Sequence, residues 1–195
     1  MTQKSGLSSA AGMTLIEIIL VIGIIGVALS FAMGITAYAV RQARADGAHS
    51  AAASAIELAR TRSISERRDY QMVFTVATGR IQVYRIEQPS NDQTLIYDTF
   101  LENGQKFYKF TDGPTAMNNT PDIFPLESST SAVNFGSTTA RFTSDGSMID
   151  ASGDILNGTL FLASPPDKQT ARAITVFGST GLIHSWKWNG SAWVE

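Results

Sequence analysis

The chain has 195 residues and a net charge of −2, with 15 Lys and Arg against 17 Asp and Glu. That length allows one or two modest domains, and the charge balance supplies no basic surplus for nucleic acid. There is no cysteine, which excludes thiol catalysis, thiolate metal sites and disulfides while leaving the redox compartment open.

A polar leader with one cation, Lys4, precedes the stretch "GMTLIEIILVIGIIGVALSFAMG" at residues 12–34, whose single charge is Glu17. Residues 18–40 are uncharged and, as a helix rising 1.5 Å per residue, would reach about 34 Å, enough for a single span of the hydrocarbon core. A carboxylate in such a helix costs roughly 2.5–3.5 kcal/mol on insertion scales for Asp, so one that is kept asks for a partner. A secretory signal peptide would use Ala37-Tyr38-Ala39 as its cleavage site, yet the apolar run exceeds the usual length of roughly 7–15 residues and Glu17 interrupts its start. An uncleaved single-pass anchor explains the length and leaves Glu17 unexplained.

Nothing breaks the helix at residue 40. "RQARADGAHSAAASAIELARTRSISER" (41–67) is rich in helix formers, which predicts one helix of about 50 residues, near 80 Å. Ala48, Ala52, Ala55 and Ala59, with Ile56 beside them, form a stripe of small residues on which another layer can pack. Arg41, Arg44, Arg60 and Arg62 read as a solvated face rather than a nucleic-acid patch. No proline precedes Pro89, so local melting would rest on Gly23, Gly26 or Gly34, at up to ~1 kcal/mol each relative to Ala.

After Arg68 the period changes to two. "YQMVFTV" (70–76) alternates Met72, Phe74 and Val76 with Gln71, Val73 and Thr75; "ATG" turns the chain; "RIQVYRI" (80–86) alternates again, which predicts a hairpin. Further strands are expected at 95–100, 132–135, 140–143, 159–163, 172–177 and 182–188, with a long Pro/Asn/Ser/Thr loop near 111–131. A helix followed by a run of strands predicts an α+β fold, a long N-terminal helix packed against a C-terminal antiparallel β-sheet domain. The expected divisions are a leader at 1–12, a transmembrane half-helix at 13–40, an amphipathic half-helix at 41–66 and a β-rich domain at 67–195.

Catalytic chemistry has little to stand on: His49 and His184 are isolated and no nucleophile motif accompanies them. Asp145, Asp150 and Asp154 could coordinate calcium, but they lack the alternating oxygen-ligand spacing of an EF-hand loop and fit ordinary turns better, so no metal or other cofactor is expected. In "HSWKWNGSAWVE" (184–195) the Asn189-Gly190 pair predicts a hairpin that places Trp186 and Trp188 on one face with Trp193 across the turn. These tryptophans offer a partner surface for a carbohydrate, a base or another protein, or else cover an apolar edge; the second reading is favoured. Asn118, Asn157 and Asn189 each begin an N-x-S/T triplet, read as chance.

The combination of Gly12, Glu17 five residues later and a long apolar continuation resembles the class III signal of type IV pilins and pseudopilins. The resemblance implies that a prepilin peptidase cuts between Gly12 and Met13 and that Met13 is N-methylated. It implies too that Glu17 pairs with the new N-terminal amine of a neighbouring subunit during assembly. Two charges that are costly alone in lipid cost less together, and their pairing fixes axial register. "ELARTRSISERR" (57–68), "FTSDGSM" (142–148), "GTLFLA" (158–163) and "RAITVFGSTGLI" (172–183) resemble the GspH/FimT group of minor subunits. The likeness covers about the first 75 residues well and the C-terminal third loosely. Some relatives active in DNA uptake carry an arginine-rich stretch after a C-terminal glycine; here Gly181-Leu182-Ile183-His184 has no arginine and only Lys187 nearby, which disfavours DNA. The resemblance implies a non-catalytic subunit of the inner membrane and periplasm that helps prime or cap a filament for secretion or pilus assembly. Its partners would be other minor and major pilins or pseudopilins, the peptidase and the inner-membrane assembly platform. A membrane-tethered periplasmic binding module using the tryptophan hairpin is the competing reading.

Overall fold

Helix-forming residues run without a break from Leu15 to Glu66, and in the computed structural model α1 (Leu15–Glu66) takes up all of them. The structure describes residues 14–102, 104–119, 121 and 131–195, with residues 31–35 described as backbone. The chain divides into two compact units, Met1–Val40 and Arg41–Glu195.

In the first unit residues 18–29 of α1 are apolar or glycine on every side, and large side chains from Leu15 (79% exposed) to Leu29 (56%) lie open. Such a surface is stable only against lipid or other protein. Among the described residues no helix is long and apolar enough to cross a membrane. This departs from the expected transmembrane half at 13–40. Residue 13 and the side chains of 31–35 fall outside the described residues, and the apolar stretch before the latter, 15–30, is shorter than the roughly 20 residues of a span.

In the second unit the rest of α1 lies under two antiparallel sheets. The first has the order β3 (Asp92–Phe100), β2 (Arg80–Glu87), β1 (Tyr70–Thr75), β6 (Thr139–Phe142), β7 (Met148–Ile149). The second runs β11 (Trp193–Val194), β10 (Leu182–Trp188), β9 (Asp167–Phe177), β8 (Gly158–Ser164), β4 (Lys106–Phe107), with β5 (Val133–Asn134) also on β8. The expected hairpin forms in register from Tyr70↔Arg85 to Thr75↔Arg80, and Gly79 closes its turn at φ +68°. Val76, expected inside, is 42% exposed because β1 stops at Thr75 and Val76 already belongs to the turn.

The alanine stripe is the floor of the core. Ala52 and Ala59 are 0% exposed and Ile56 packs beside them against Met72, Phe74, Val83, Leu160 and Ile174 from both sheets. Each of the larger side chains contributes about 1.5–3 kcal/mol by leaving water. Phe74 stacks on Phe135 at 5.2 Å and meets Phe107 edge-on at 5.8 Å. A Cβ at Gly158 would overlap the Phe135 ring, so that stack needs a glycine on β8. α1 ends on a non-glycine left-handed residue, Arg67 (φ 52°), with the Arg68 N–H returning to the Ser63 carbonyl at 3.2 Å. A smaller cluster forms where Ala163 and Ala171 meet Phe110, Trp188 and Met117, the last from the short α2 (Thr115–Asn118) inside the expected 111–131 loop. Residues 122–130 of that loop lie outside the described residues.

Candidate functional site

The start of α1 is built by Thr14. Its carbonyl and hydroxyl oxygens accept the Glu17 N–H at 3.1 and 3.3 Å, which makes Thr14-Leu15-Ile16-Glu17 a T-x-x-E helix start. The T-x-x-E spacing is legible in the sequence, where the lone charge at Glu17 is the more conspicuous signal. The Glu17 carboxylate is exposed and has no partner among the described residues, although the positive end of the helix favours a negative charge there. Gly12 and Met13, the expected processing site, lie outside the described residues.

Where α1 enters the second unit, a cluster of charges ties it to β9. Arg172 is 1% exposed and has every donor engaged. Its Nε and Nη2 reach Asp46 Oδ1 at 2.8 and 2.7 Å, and Nη2 also donates to Gln42 Oε1 at 2.8 Å. Its Nη1 donates to the carbonyls of Gln169 and Ala171 at 3.1 and 2.9 Å. Arg41 adds an ion pair to Asp167 at 3.1 Å, and Lys187 lies 3.7 Å from Asp46. His49 sits next in line, its Nε2 3.3 Å from the Ala173 carbonyl. Burial pushes the His49 pKa below its ordinary value, assisted by Arg172 and opposed by the carbonyl and Asp46. A fully satisfied guanidinium and a half-buried imidazole with a lowered pKa tie this end of the helix to β9.

At the C-terminal hairpin the three tryptophans part company. Trp188 is 3% exposed and meets Trp193 edge-on at 5.5 Å, while Trp193 reaches Phe161 at 5.9 Å. Trp186 stays half-buried, donates Nε1–H to Thr175 Oγ1 at 3.0 Å and lies 6.0 Å from the His184 ring. Trp186 and Trp188 do share a face and Trp193 does pair across the turn, as expected, but the face is covered at Trp188.

The aspartates are occupied by turns. The Asp145 carboxylate accepts from the Thr143 hydroxyl and from the Ser147 N–H and hydroxyl, the last two at 3.1 and 2.8 Å. Those bonds, the Thr143 hydroxyl first, hold its pKa down to about 2. Asp150 Oδ1 accepts the N–H groups of Ser152 and Asp154 at 2.8 and 3.0 Å. Among the described residues no three His, Asp or Glu gather to hold a metal ion. Asn118 and Asn157 are also engaged, with the carbonyl of Thr111 and the N–H of Gly178. The structure brings one cation, Arg60, beside Gly181, where the local sequence has none; a separation along the chain of 120 residues between Arg60 and its acceptor Thr180 hid it.

No family model matches the chain, and no curated protein matches it. Among solved structures it is similar to the minor pseudopilin EpsH from the type 2 secretion system of Vibrio cholerae, with 11% identity, 74% of this chain and 97% of that chain covered, and a TM-score of 0.48. A second EpsH structure is 16% identical over 79% of this chain and 97% of its own, with a TM-score of 0.44. The type IV minor pilin FimU of Pseudomonas aeruginosa is 10% identical over 83% of this chain and 97% of its own, with a TM-score of 0.45.

Proposed function

We propose that the chain is a non-catalytic minor pseudopilin or minor pilin, held by α1 in the bacterial inner membrane with its β domain in the periplasm, that helps initiate or cap a type IV-type filament. The observation that carries the reading is the helix start: an exposed carboxylate with no partner among the described residues, Glu17, at the head of a helix whose next turns expose only apolar surface. Cleavage after Gly12 would place a cationic amine on Met13, one turn away, and supply on a neighbouring subunit the charge that Glu17 lacks. Other minor and major subunits, the prepilin peptidase and the assembly platform are the partners this reading requires. A binding module built on the tryptophan hairpin is less well supported, because Trp188 is buried and Trp193 packs on it.

Replacing Glu17 by Ala separates processing from assembly. The variant should be cleaved and found in the membrane as the parent is, yet incorporate into filaments at least about tenfold less, as expected for a lost charge pair in a low-dielectric setting. Equal incorporation would remove the pairing role.

A further inference from the structure

A cleft of about 240 Å³ opens between α1 and β10, lined by Glu57, Arg60 and Thr61 on the helix and by Gly181, Leu182 and Ile183 on the sheet. Arg60 lacks a carboxylate. It donates Nη2–H to the Thr180 carbonyl at 2.9 Å, its Nε–H is buried with no acceptor, and it forms no ion pair among the described residues. Glu57, three residues earlier and exposed, lines the same cleft and has no cation among the described residues. Leu182 stands at the rim, 50% exposed. The guanidinium is held in place from behind: Gly181 takes φ +64°, and a Cβ there would come within 2.5 Å of Arg60 Nε. One cleft therefore holds a fixed cation and an exposed anion that form no ion pair with each other or with another described residue.

We propose that this cleft is closed by the same cleft of a second copy of the chain, Glu57 of each protomer meeting Arg60 of the other. A contact between like surfaces requires a patch complementary to itself, and a patch carrying one unpaired charge of each sign meets that requirement. The parallel arrangement of the two α1 helices rests on the membrane anchoring proposed above. In that arrangement Glu57 and the partner's Arg60 differ by three residues, about 4.5 Å of helix rise. Two long side chains bridge such an offset, as charges flanking the seam of a parallel coiled coil do. The contact exchanges solvated charges for paired ones at the cleft and covers Leu182.

Because the chain has no cysteine, Thr61→Cys provides a single reporter in the full-length protein in its membrane. A short bis-maleimide should join it into a product of twice the chain mass. Adding Glu57→Arg should lower that yield at least about tenfold through like-charge juxtaposition, whereas Glu57→Asp should keep it within about twofold. Glu57 is exposed and forms no hydrogen bond or ion pair among the described residues, so its replacement removes no such bond from the fold. Equal yields in all variants, an equal loss with Asp and Arg, a product with the mass of a different protein, or no product from a membrane-embedded chain would each overturn the contact. Release of the chain by a high-salt wash would overturn the anchoring reading and, with it, the parallel pair.

Discussion

Arg172 shows why a buried charge can be kept. Its side chain leaves water almost completely, and the cost is met by Asp46, Gln42 and two carbonyls rather than by one counter-ion. Removing Asp46 alone strands the guanidinium. Asp46→Ala should therefore lower unfolding free energy by about 2–3 kcal/mol, less than for a fully buried pair because Asp46 is 51% exposed, while Arg172→Met should cost less. Urea unfolding of the full chain in detergent reads both. His49 titrates in the same neighbourhood, with Arg172, Asp46 and the Ala173 carbonyl as the groups around it. Its folded pKa is depressed, so the unfolded chain takes up the proton first and stability is lost as pH falls below about 6.5. The variant His49→Gln should flatten the urea midpoint between about pH 7.5 and 5. Asp145 acts lower: with its carboxyl held down to about 2, its contribution is present above the ordinary Asp range and disappears as pH falls from about 4 through 2. In Asp145→Asn that acid loss should be absent from the same measurement.

Elements explain which side chains are structural. Trp188 is buried in the second cluster, whereas Trp186 is half-buried and lies outside that cluster, so the two aromatics of β10 should differ in kind. Trp188→Ala should cost about 3–5 kcal/mol of stability, and Trp186→Ala clearly less; a ligand platform would give the reverse emphasis, with binding lost and stability kept. On α1, Ala55→Leu forces bulk into the main core, where Ala55 is 1% exposed, and should destabilise by about 1–3 kcal/mol. Such elements were legible in the sequence because their periods are long enough to read. The alanine stripe repeats over three turns of α1, β1 alternates over all six of its residues, and β2 alternates from Arg80 to Val83. The two-residue strands β4 and β7 were missed because two residues display no period, whereas β11 was marked by the Asn189-Gly190 turn before it. α2 was missed for the same reason, being a single turn inside a loop rich in turn formers.

At the scale of the whole molecule, the α+β architecture with a long leading helix was readable, since it follows from one change of period after Arg68. The charge cluster was not. Asp46 and Arg172 are 126 residues apart, and each looks like an ordinary solvated residue until β9 is laid on α1. The same holds for Arg60 and Gly181. The two ends of the molecule thus differ: the second unit owes its stability to long-range packing, whereas the proposed processing and assembly residues fall within positions 12–17. The filament-subunit role proposed for the molecule depends on the bond between Gly12 and Met13 being cut. The intact mass and N-terminal fragment masses of the chain extracted from its native membrane test this most directly. The account predicts a chain that begins at N-methylated Met13; a chain that begins at Met1, or at Val40 after cleavage by a secretory peptidase, would contradict it.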